Sequence, residues 1–305
     1  TVTTGNVILN GLPSFGTWTL TRSPGNVTTT GTGTSTTILS LSAGTYNYTV
    51  TTNGGGCAQV SATGTITVNT DDTISAPTNN VQTVCSNTPI SSILYTVGGG
   101  ATGASISWDV QPTGITGSYS GGIFTISGTP TVTSGSFTYT IATSGICSQT
   151  TATGTITVNP NSTIGAPTNN IQTVCKNSPI DPIAYTIGGG GTGATTTGLP
   201  SGVTGSFSGG TYTISGTPTV TGNFNYTVTT TGGGCSQVSS TGTFTIKEPV
   251  LITTQPSNVG VCANSAASLS VVAFGDNLTY QWYKGGTLIS GATNNVLNFS
   301  PANLS

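Results

Sequence analysis

The sequence is poor in charge, and it contains no histidine and no methionine. Only 3% of its 305 residues are charged, whereas about a quarter is typical of a soluble domain. Without histidine, the chain lacks the commonest general base and the commonest metal ligand. A net charge of −2 provides no basic surface for nucleic acid or anionic lipid. We therefore expect no enzyme activity, no bound cofactor and no nucleic-acid partner.

Threonine, glycine and alternating apolar residues make up much of the chain instead. Threonine accounts for more than one residue in five, and it favours β-strands. Apolar residues occupy every second position in segments such as Phe137, Tyr139 and Ile141, which is the period of a half-buried strand. This alternation argues against a flexible linker. No apolar run approaches the roughly 18 residues of a membrane span. The pattern predicts an all-β protein without membrane insertion.

The sequence repeats itself with a period near 90 residues. APTNNVQTV at 76–84 returns as APTNNIQTV at 166–174, and TYNYTVTTNGGGC from Thr45 resembles NFNYTVTTTGGGC from Asn223. This period is the usual size of one immunoglobulin-like sandwich. We predict four domains, of which the first is incomplete at its N-terminus and the last at its C-terminus. Their predicted ranges are 1–74, 75–163, 164–249 and 250–305.

The six cysteines follow the repeat. Each complete repeat has one early cysteine and one in the loop before its last strand, which predicts the disulfides Cys85–Cys147 and Cys175–Cys235. Cys57 and Cys262 then have partners outside the chain. Free buried thiols are the alternative, whereas a metal site would require CxxC spacing or histidine partners. Disulfides favour an oxidising location outside the cytoplasm.

Three motifs carry a resemblance to a known class of proteins. APTNN-x-QTVC, YT-x-GGG and GLPSGVTGSFSGGTYTISGTPTVTGNFNYTVTT resemble the PKD-like and immunoglobulin-like repeats of very large Bacteroidota surface proteins, particularly flavobacterial ones. The resemblance covers nearly the whole chain. It implies a tandem array of antiparallel β-sandwiches in an extracellular, cell-surface adhesin of the type IX secretion class. Some proteins of this class serve gliding motility or attachment.

Few single residues suggest a site. Asp72-Thr73-Ile74 resembles the O-glycosylation motif of Bacteroidota, with Thr73 as the acceptor, although three residues are a short match and an ordinary polar turn between domains is the favoured explanation. The neighbouring Asp71-Asp72 pair is the only acidic pair, and calcium usually needs more carboxylates. Trp108 stands where the next repeat has Gly198. It is either partly buried or an exposed surface contact.

Three functions fit these observations. The first is a structural and adhesive stalk or fibre, whose partners are neighbouring domains of the same longer chain, surface glycans or other copies of itself. The second is a set of carbohydrate-binding modules of a large secreted hydrolase. The third is a filament whose subunits complete one another by strand donation. We favour the first, because the aromatic residues stand mainly at alternating, inward-type positions.

Overall fold

The alternating threonines form strands throughout the part of the chain that can be described. The structure is a computed structural model that describes residues 4–53 and 60–300, and every regular element in these ranges is a β-strand. The all-β prediction is confirmed. In the same ranges, no helix has the length and apolar character that crossing a membrane requires. The chain forms two compact units, Thr1–Asn159 and Pro160–Ser305.

The first domain has two sheets of unequal size. One contains four strands in the order β3-β2-β5-β6, and the other contains only β1 and β4. Its small core is centred on Trp18, Leu20 and Tyr48. The strands are β1 (Thr4–Asn10), β2 (Thr17–Ser23), β3 (Val27–Gly31), β4 (Ser35–Ser42), β5 (Gly44–Asn53) and β6 (Ser61–Val68).

The second domain is a complete sandwich of two four-stranded sheets. Their orders are β10-β13-β14-β8 and β11-β12-β9-β7. Phe137, Tyr139 and Ile141 of β13 point into the core, and the threonines between them do not. The strands are β7 (Asp72–Ser75), β8 (Val81–Cys85), β9 (Ile93–Gly99), β10 (Ala101–Trp108), β11 (Ile115–Ser120), β12 (Ile123–Gly128), β13 (Gly135–Gly145) and β14 (Thr151–Asn159).

The third domain repeats this architecture strand for strand. Its sheets have the orders β16-β22-β21-β18 and β15-β17-β20-β19, and its core contains Tyr185, Tyr226 and Phe244. The strands are β15 (Ser162–Ile164), β16 (Ile171–Cys175), β17 (Ile183–Gly189), β18 (Gly193–Thr197), β19 (Val203–Ser208), β20 (Thr211–Gly216), β21 (Gly222–Thr231) and β22 (Ser239–Lys247).

Residues 250–300 form only two-stranded pairings: β23 with β25, β24 with β28, and β26 with β27. Leu251, Phe274 and Tyr283 are exposed. Trp282 is half-buried and donates a hydrogen bond through Nε1 to the Asn294 carbonyl at 2.8 Å. The strands are β23 (Leu251–Thr254), β24 (Ala267–Ser270), β25 (Val272–Phe274), β26 (Tyr283–Lys284), β27 (Thr287–Leu288) and β28 (Val296–Phe299).

Strand pairing refines two of the predicted domain limits. A boundary after residue 74 would divide β7, yet the whole of β7 pairs with β9 of the second domain. A boundary after residue 163 would likewise divide β15, which pairs with β17 of the third domain. Both segments resemble polar linkers in sequence. Sheet hydrogen bonds nevertheless attach them to the domain that follows.

Candidate functional site

The second and third domains each pair an early strand with their last strand in parallel. In the second domain, β8 lies beside β14 in a five-residue register that runs from Val81 opposite Thr155 to Cys85 opposite Asn159. In the third domain, β16 lies beside β22 in the equivalent register. Because the two strands are parallel, the chain enters and leaves this pair at opposite ends. Tension that reaches these two ends therefore loads the ladder in shear. We call each such pair a terminal clamp.

A buried tyrosine in each domain connects the clamp to the core by a hydrogen bond. In the second domain, the Tyr139 hydroxyl donates to the Asn80 carbonyl at 3.1 Å and is 3.1 Å from the Tyr95 hydroxyl. The same Asn80 carbonyl accepts the backbone N–H of Thr155 at 2.9 Å. The Asn80 side chain in turn donates to the Thr153 carbonyl at 2.9 Å. Asn80 therefore joins β14 and the core to the beginning of β8.

The third domain contains the same arrangement. Tyr226 donates to the Asn170 carbonyl at 3.2 Å and lies 3.1 Å from the Tyr185 hydroxyl. Asn170 donates to the Thr241 carbonyl at 2.8 Å. Burial raises the pKa of both Tyr139 and Tyr226 above the ordinary value, and the neighbouring tyrosine hydroxyl raises it further. These phenols therefore remain neutral donors in the folded protein. We call this arrangement the tyrosine lock.

Each lock depends on a glycine opposite the tyrosine. Gly154 pairs with Tyr139 across the sheet, and Gly242 pairs with Tyr226. A β-carbon at Gly154 would collide with the tyrosine hydroxyl and with the carbonyl of Asn80. Glycine is therefore required here for space. The locks were not predicted from the sequence, although the repeated Asn-Asn-x-Gln motif at 79–82 and 169–172 marks their position.

The glutamine of that motif joins the same end of the clamp strand to the residues that precede it and to the loop before the next strand. Gln82 donates through Nε2 to the carbonyls of Asn79 at 3.1 Å and Ser91 at 2.7 Å, and its Oε1 accepts the Ser91 backbone N–H at 3.0 Å. In the third domain, Gln172 makes the same three hydrogen bonds, with Asp181 in place of Ser91. Hydrogen bonds to the backbone thus explain why the two repeats share the spacing of this motif.

The predicted disulfide pairs Cys85–Cys147 and Cys175–Cys235 are not formed. Cys147 and Cys175 are free thiols, as is Cys262, whereas Cys85 and Cys235 are each disulfide-bonded. Neither of the bonded cysteines is linked to the other cysteine of its own repeat. Cys57, for which a partner outside the chain was predicted, lies outside the described residues.

Strand geometry explains why the prediction failed. Cys85 lies opposite Asn159, at the end of the nine-residue strand β14, and Cys147 precedes the beginning of that strand. Nine residues of strand span about 30 Å, whereas a disulfide needs α-carbons within about 7 Å. The third domain has the same geometry, because Cys175 lies opposite Lys247 and Cys235 precedes β22. The two cysteines of a repeat are therefore at opposite ends of their domain.

Trp108 belongs to the packing of the second domain. Its ring centroid is 5.0 Å from that of Tyr139, and the side chain is half-buried against the core. The expectation of an exposed surface contact is therefore not supported. Thr73 is exposed on the edge strand β7. Its hydroxyl is accessible, and glycosylation remains a prediction.

Asp72 is an unusual buried acid. It is only 5% exposed, and neither carboxylate oxygen has a hydrogen-bond partner among the described residues. Its backbone N–H donates to the Ser148 carbonyl at 3.2 Å, and Ser162 starts the equivalent strand of the third domain. Within residues 4–53 and 60–300, no three His, Cys, Asp or Glu side chains are grouped as a metal site would require.

Comparison with known proteins supports the fold. No protein-family model matches this sequence, and neither does any curated protein. Among solved structures, a fragment of the titin I-band with three immunoglobulin domains is similar, with a TM-score of 0.56 and 14% identity over 77% of this chain and 89% of the fragment. Its Glu-to-Ala variant gives a TM-score of 0.57 over the same shares, also at 14% identity. The chain is a tandem array of immunoglobulin-like β-sandwich domains.

Proposed function

We propose that this chain is a tension-bearing segment of an extracellular structural or adhesive protein. The observation that carries the proposal is the terminal clamp, which occurs in the same register in the second and third domains. Both domains repeat the whole clamp together with its tyrosine lock. This repetition supports resistance to tension as the function of these domains.

Shear loading makes such a clamp resistant. When parallel strands are pulled along their axis from opposite ends, the hydrogen bonds of the ladder share the force and fail together. When the same strands are pulled apart from one end, the bonds fail one at a time. A single hydrogen bond contributes only about 1 kcal/mol to stability, so joint failure of the ladder is what raises the barrier to extension.

The location and the biological role extend this proposal. The disulfide-bonded state of Cys85 and Cys235 supports an oxidising, extracellular location. The repeat motifs resemble those of Bacteroidota surface adhesins, so we propose a cell-surface stalk of the type IX secretion class, used for attachment or gliding. Its partners would be neighbouring domains, surface glycans or further copies of itself. Because Trp108 packs inward, it does not support the alternative of a carbohydrate-binding module.

Pulling the second domain in two directions tests the mechanical proposal. Handles at Thr78, which is exposed and lies just before β8, and at Asn159 load the clamp in shear. Handles at Cys85 and Asn159, which lie opposite each other in the register, open it from one end. In reducing buffer, we expect the unfolding force to be several-fold higher in the first geometry. Equal forces in both geometries would contradict a role for the clamp in bearing tension.

A further inference from the structure

The first domain has an open groove where the other two have their clamp strand. Among the described residues, β6 pairs only with β5 and forms the edge of its sheet. The groove has a volume of about 450 Å³. Its apolar wall includes Leu9, Leu20, Val50 and Ile66, and its rim is β6 itself.

Equivalent residues are buried to different extents in the first and second domains. The cross-strand pair of Tyr48 and Gly64 in the first domain corresponds to that of Tyr139 and Gly154 in the second. Two residues after the glycine, Ile156 is 0% exposed and Ile66 is half-buried. The next inward residue behaves likewise: Val158 is 2% exposed, whereas Val68 is half-buried. The first domain thus has the same alternation of inward-facing residues along its last strand, but among the described residues no clamp strand covers them.

The lock of the first domain is also incomplete. The Tyr48 hydroxyl is buried and has no hydrogen-bond acceptor among the described residues, and its polar neighbour is the side chain of Arg22, opposite it on β2. Burial raises its pKa, and the charge of Arg22 on the neighbouring strand lowers it in part. A β-carbon built at Gly64 meets nothing within 4 Å, whereas at Gly154 and Gly242 it would collide with the tyrosine and with the asparagine carbonyl. The space beside these two glycines is occupied by the tyrosine hydroxyl and by the asparagine carbonyl. Beside Gly64, among the described residues, neither the Tyr48 hydroxyl nor a carbonyl is present.

We propose that the groove along β6 binds an extended strand of the type Asn-Asn-[Val/Ile]-Gln-Thr-Val, parallel to β6. With the Tyr48 side chain turned towards Gly64, the first residues of this strand would give Tyr48 the carbonyl acceptor that Asn80 gives Tyr139. Its final valine would cover the apolar wall as Val84 does in the second domain. Addition of a strand to an exposed edge is an established mode of recognition, with backbone hydrogen bonds giving affinity and side-chain pockets giving specificity.

The occupant is a segment of the same polypeptide, N-terminal to β1. In both complete domains, the clamp strand is followed within eight residues by the strand equivalent to β1: β8 precedes β9, and β16 precedes β17. A second copy of this chain is a poorer donor, because its two segments of this type already pair with β14 and β22.

A synthetic peptide with the sequence of residues 76–84 tests the groove directly. We expect saturable binding to the 305-residue protein, measured by fluorescence anisotropy, with slower hydrogen exchange across β6. In the Gly64→Ala protein, the added methyl has room in the free domain but would meet the peptide carbonyl. We expect at least a tenfold loss of affinity there and less than a twofold change for Thr67→Ala, whose side chain points away from the groove. Binding that is equal in the Gly64→Ala and Thr67→Ala proteins would overturn the proposal.

A fused strand tests the proposed source. Residues 76–92, with Cys85→Ser, are joined upstream of Thr4, which raises the effective concentration of the strand. We expect amide exchange at Ile66 and Val68 to slow at least tenfold in the fusion, and a Val84→Asp fusion to lose this protection. Lack of protection in the parent fusion would overturn the proposal, whatever the free peptide does. Self-association of the unfused protein that Gly64→Ala abolishes would also overturn it, because the donor would then be another copy.

Discussion

The first and second domains share one strand pattern but differ in how completely it is buried. Both place a tyrosine opposite a glycine, as Tyr48 with Gly64 and Tyr139 with Gly154. In the second domain, β8 covers this region and the tyrosine finds its acceptor. In the first domain, the described residues include no strand beyond β6, and the hydroxyl has no partner there. Alternation in sequence therefore decides which face of a strand can be buried, whereas a neighbouring strand decides whether it is.

The largest expected difference between the two domains is at their glycines. Gly154→Val places a side chain against the Tyr139 hydroxyl and the Asn80 carbonyl. We expect it to lower the free energy of unfolding of the second domain by about 3 kcal/mol or more. Gly64→Val meets open space and should change the first domain by less than about 1 kcal/mol. Hydrogen exchange with peptide resolution, measured through a denaturant series, reports the two domains separately. Equal losses in both domains would show that the clamp strand does not determine the requirement for glycine.

Truncation of the following isoleucine should give the next largest difference. Ile156 is fully buried, and Ile156→Ala should cost the second domain about 3 kcal/mol. Ile66 is half-buried, so Ile66→Ala should cost the first domain about 1 kcal/mol. Denaturant unfolding of the two variants measures both values. A cost at Ile66 as large as that at Ile156 would mean that the groove is already covered in solution.

Removal of the tyrosine hydroxyls should give a smaller difference in stability between the two domains. Tyr139→Phe removes the hydrogen bond to Asn80 and leaves that buried carbonyl with one donor fewer. We expect a loss of about 1.5 kcal/mol in the second domain. Tyr48→Phe removes a buried hydroxyl that has no acceptor among the described residues and whose polar neighbour is Arg22, so it should change stability by less than about 1 kcal/mol. A clear destabilisation by Tyr48→Phe would show that this hydroxyl is bonded in solution.

The smallest expected effect is the loss of stability of the second domain just above pH 10. The pKa of Tyr139 is raised in the folded state from the ordinary value of 10.0. Above pH 10 the unfolded chain loses this proton and the folded domain keeps it, so stability present below pH 10 falls as the pH rises. At pH 10.5 the loss is below about 1 kcal/mol for one tyrosine. Thermal unfolding of the parent and of Tyr139→Phe checks this, because the variant should lose less stability in the second domain over the same interval.

Sequence reasoning predicted the all-β fold and the alternation because both depend on local period. It could not predict the tyrosine locks, since their partners Asn80 and Tyr139 meet only when β8 is laid beside β14. The cysteine pairing failed for a related reason. The repeat indicates which segments carry Cys85 and Cys147, but their separation depends on the length and direction of the strand between them. Trp108 was ambiguous in sequence because its burial depends on contact with Tyr139 on the neighbouring strand.

The tyrosine lock has a consequence for the media in which these domains can work. Its donors and acceptors are a neutral phenol, an amide and backbone carbonyls, and Tyr139 is 1% exposed. Mobile ions screen interactions between exposed charges over about 10 Å at 0.1 M salt, and they have little to act on in a buried, uncharged contact. The contribution of the tyrosine lock to the stability of each domain should therefore be the same in dilute fresh water and in brine.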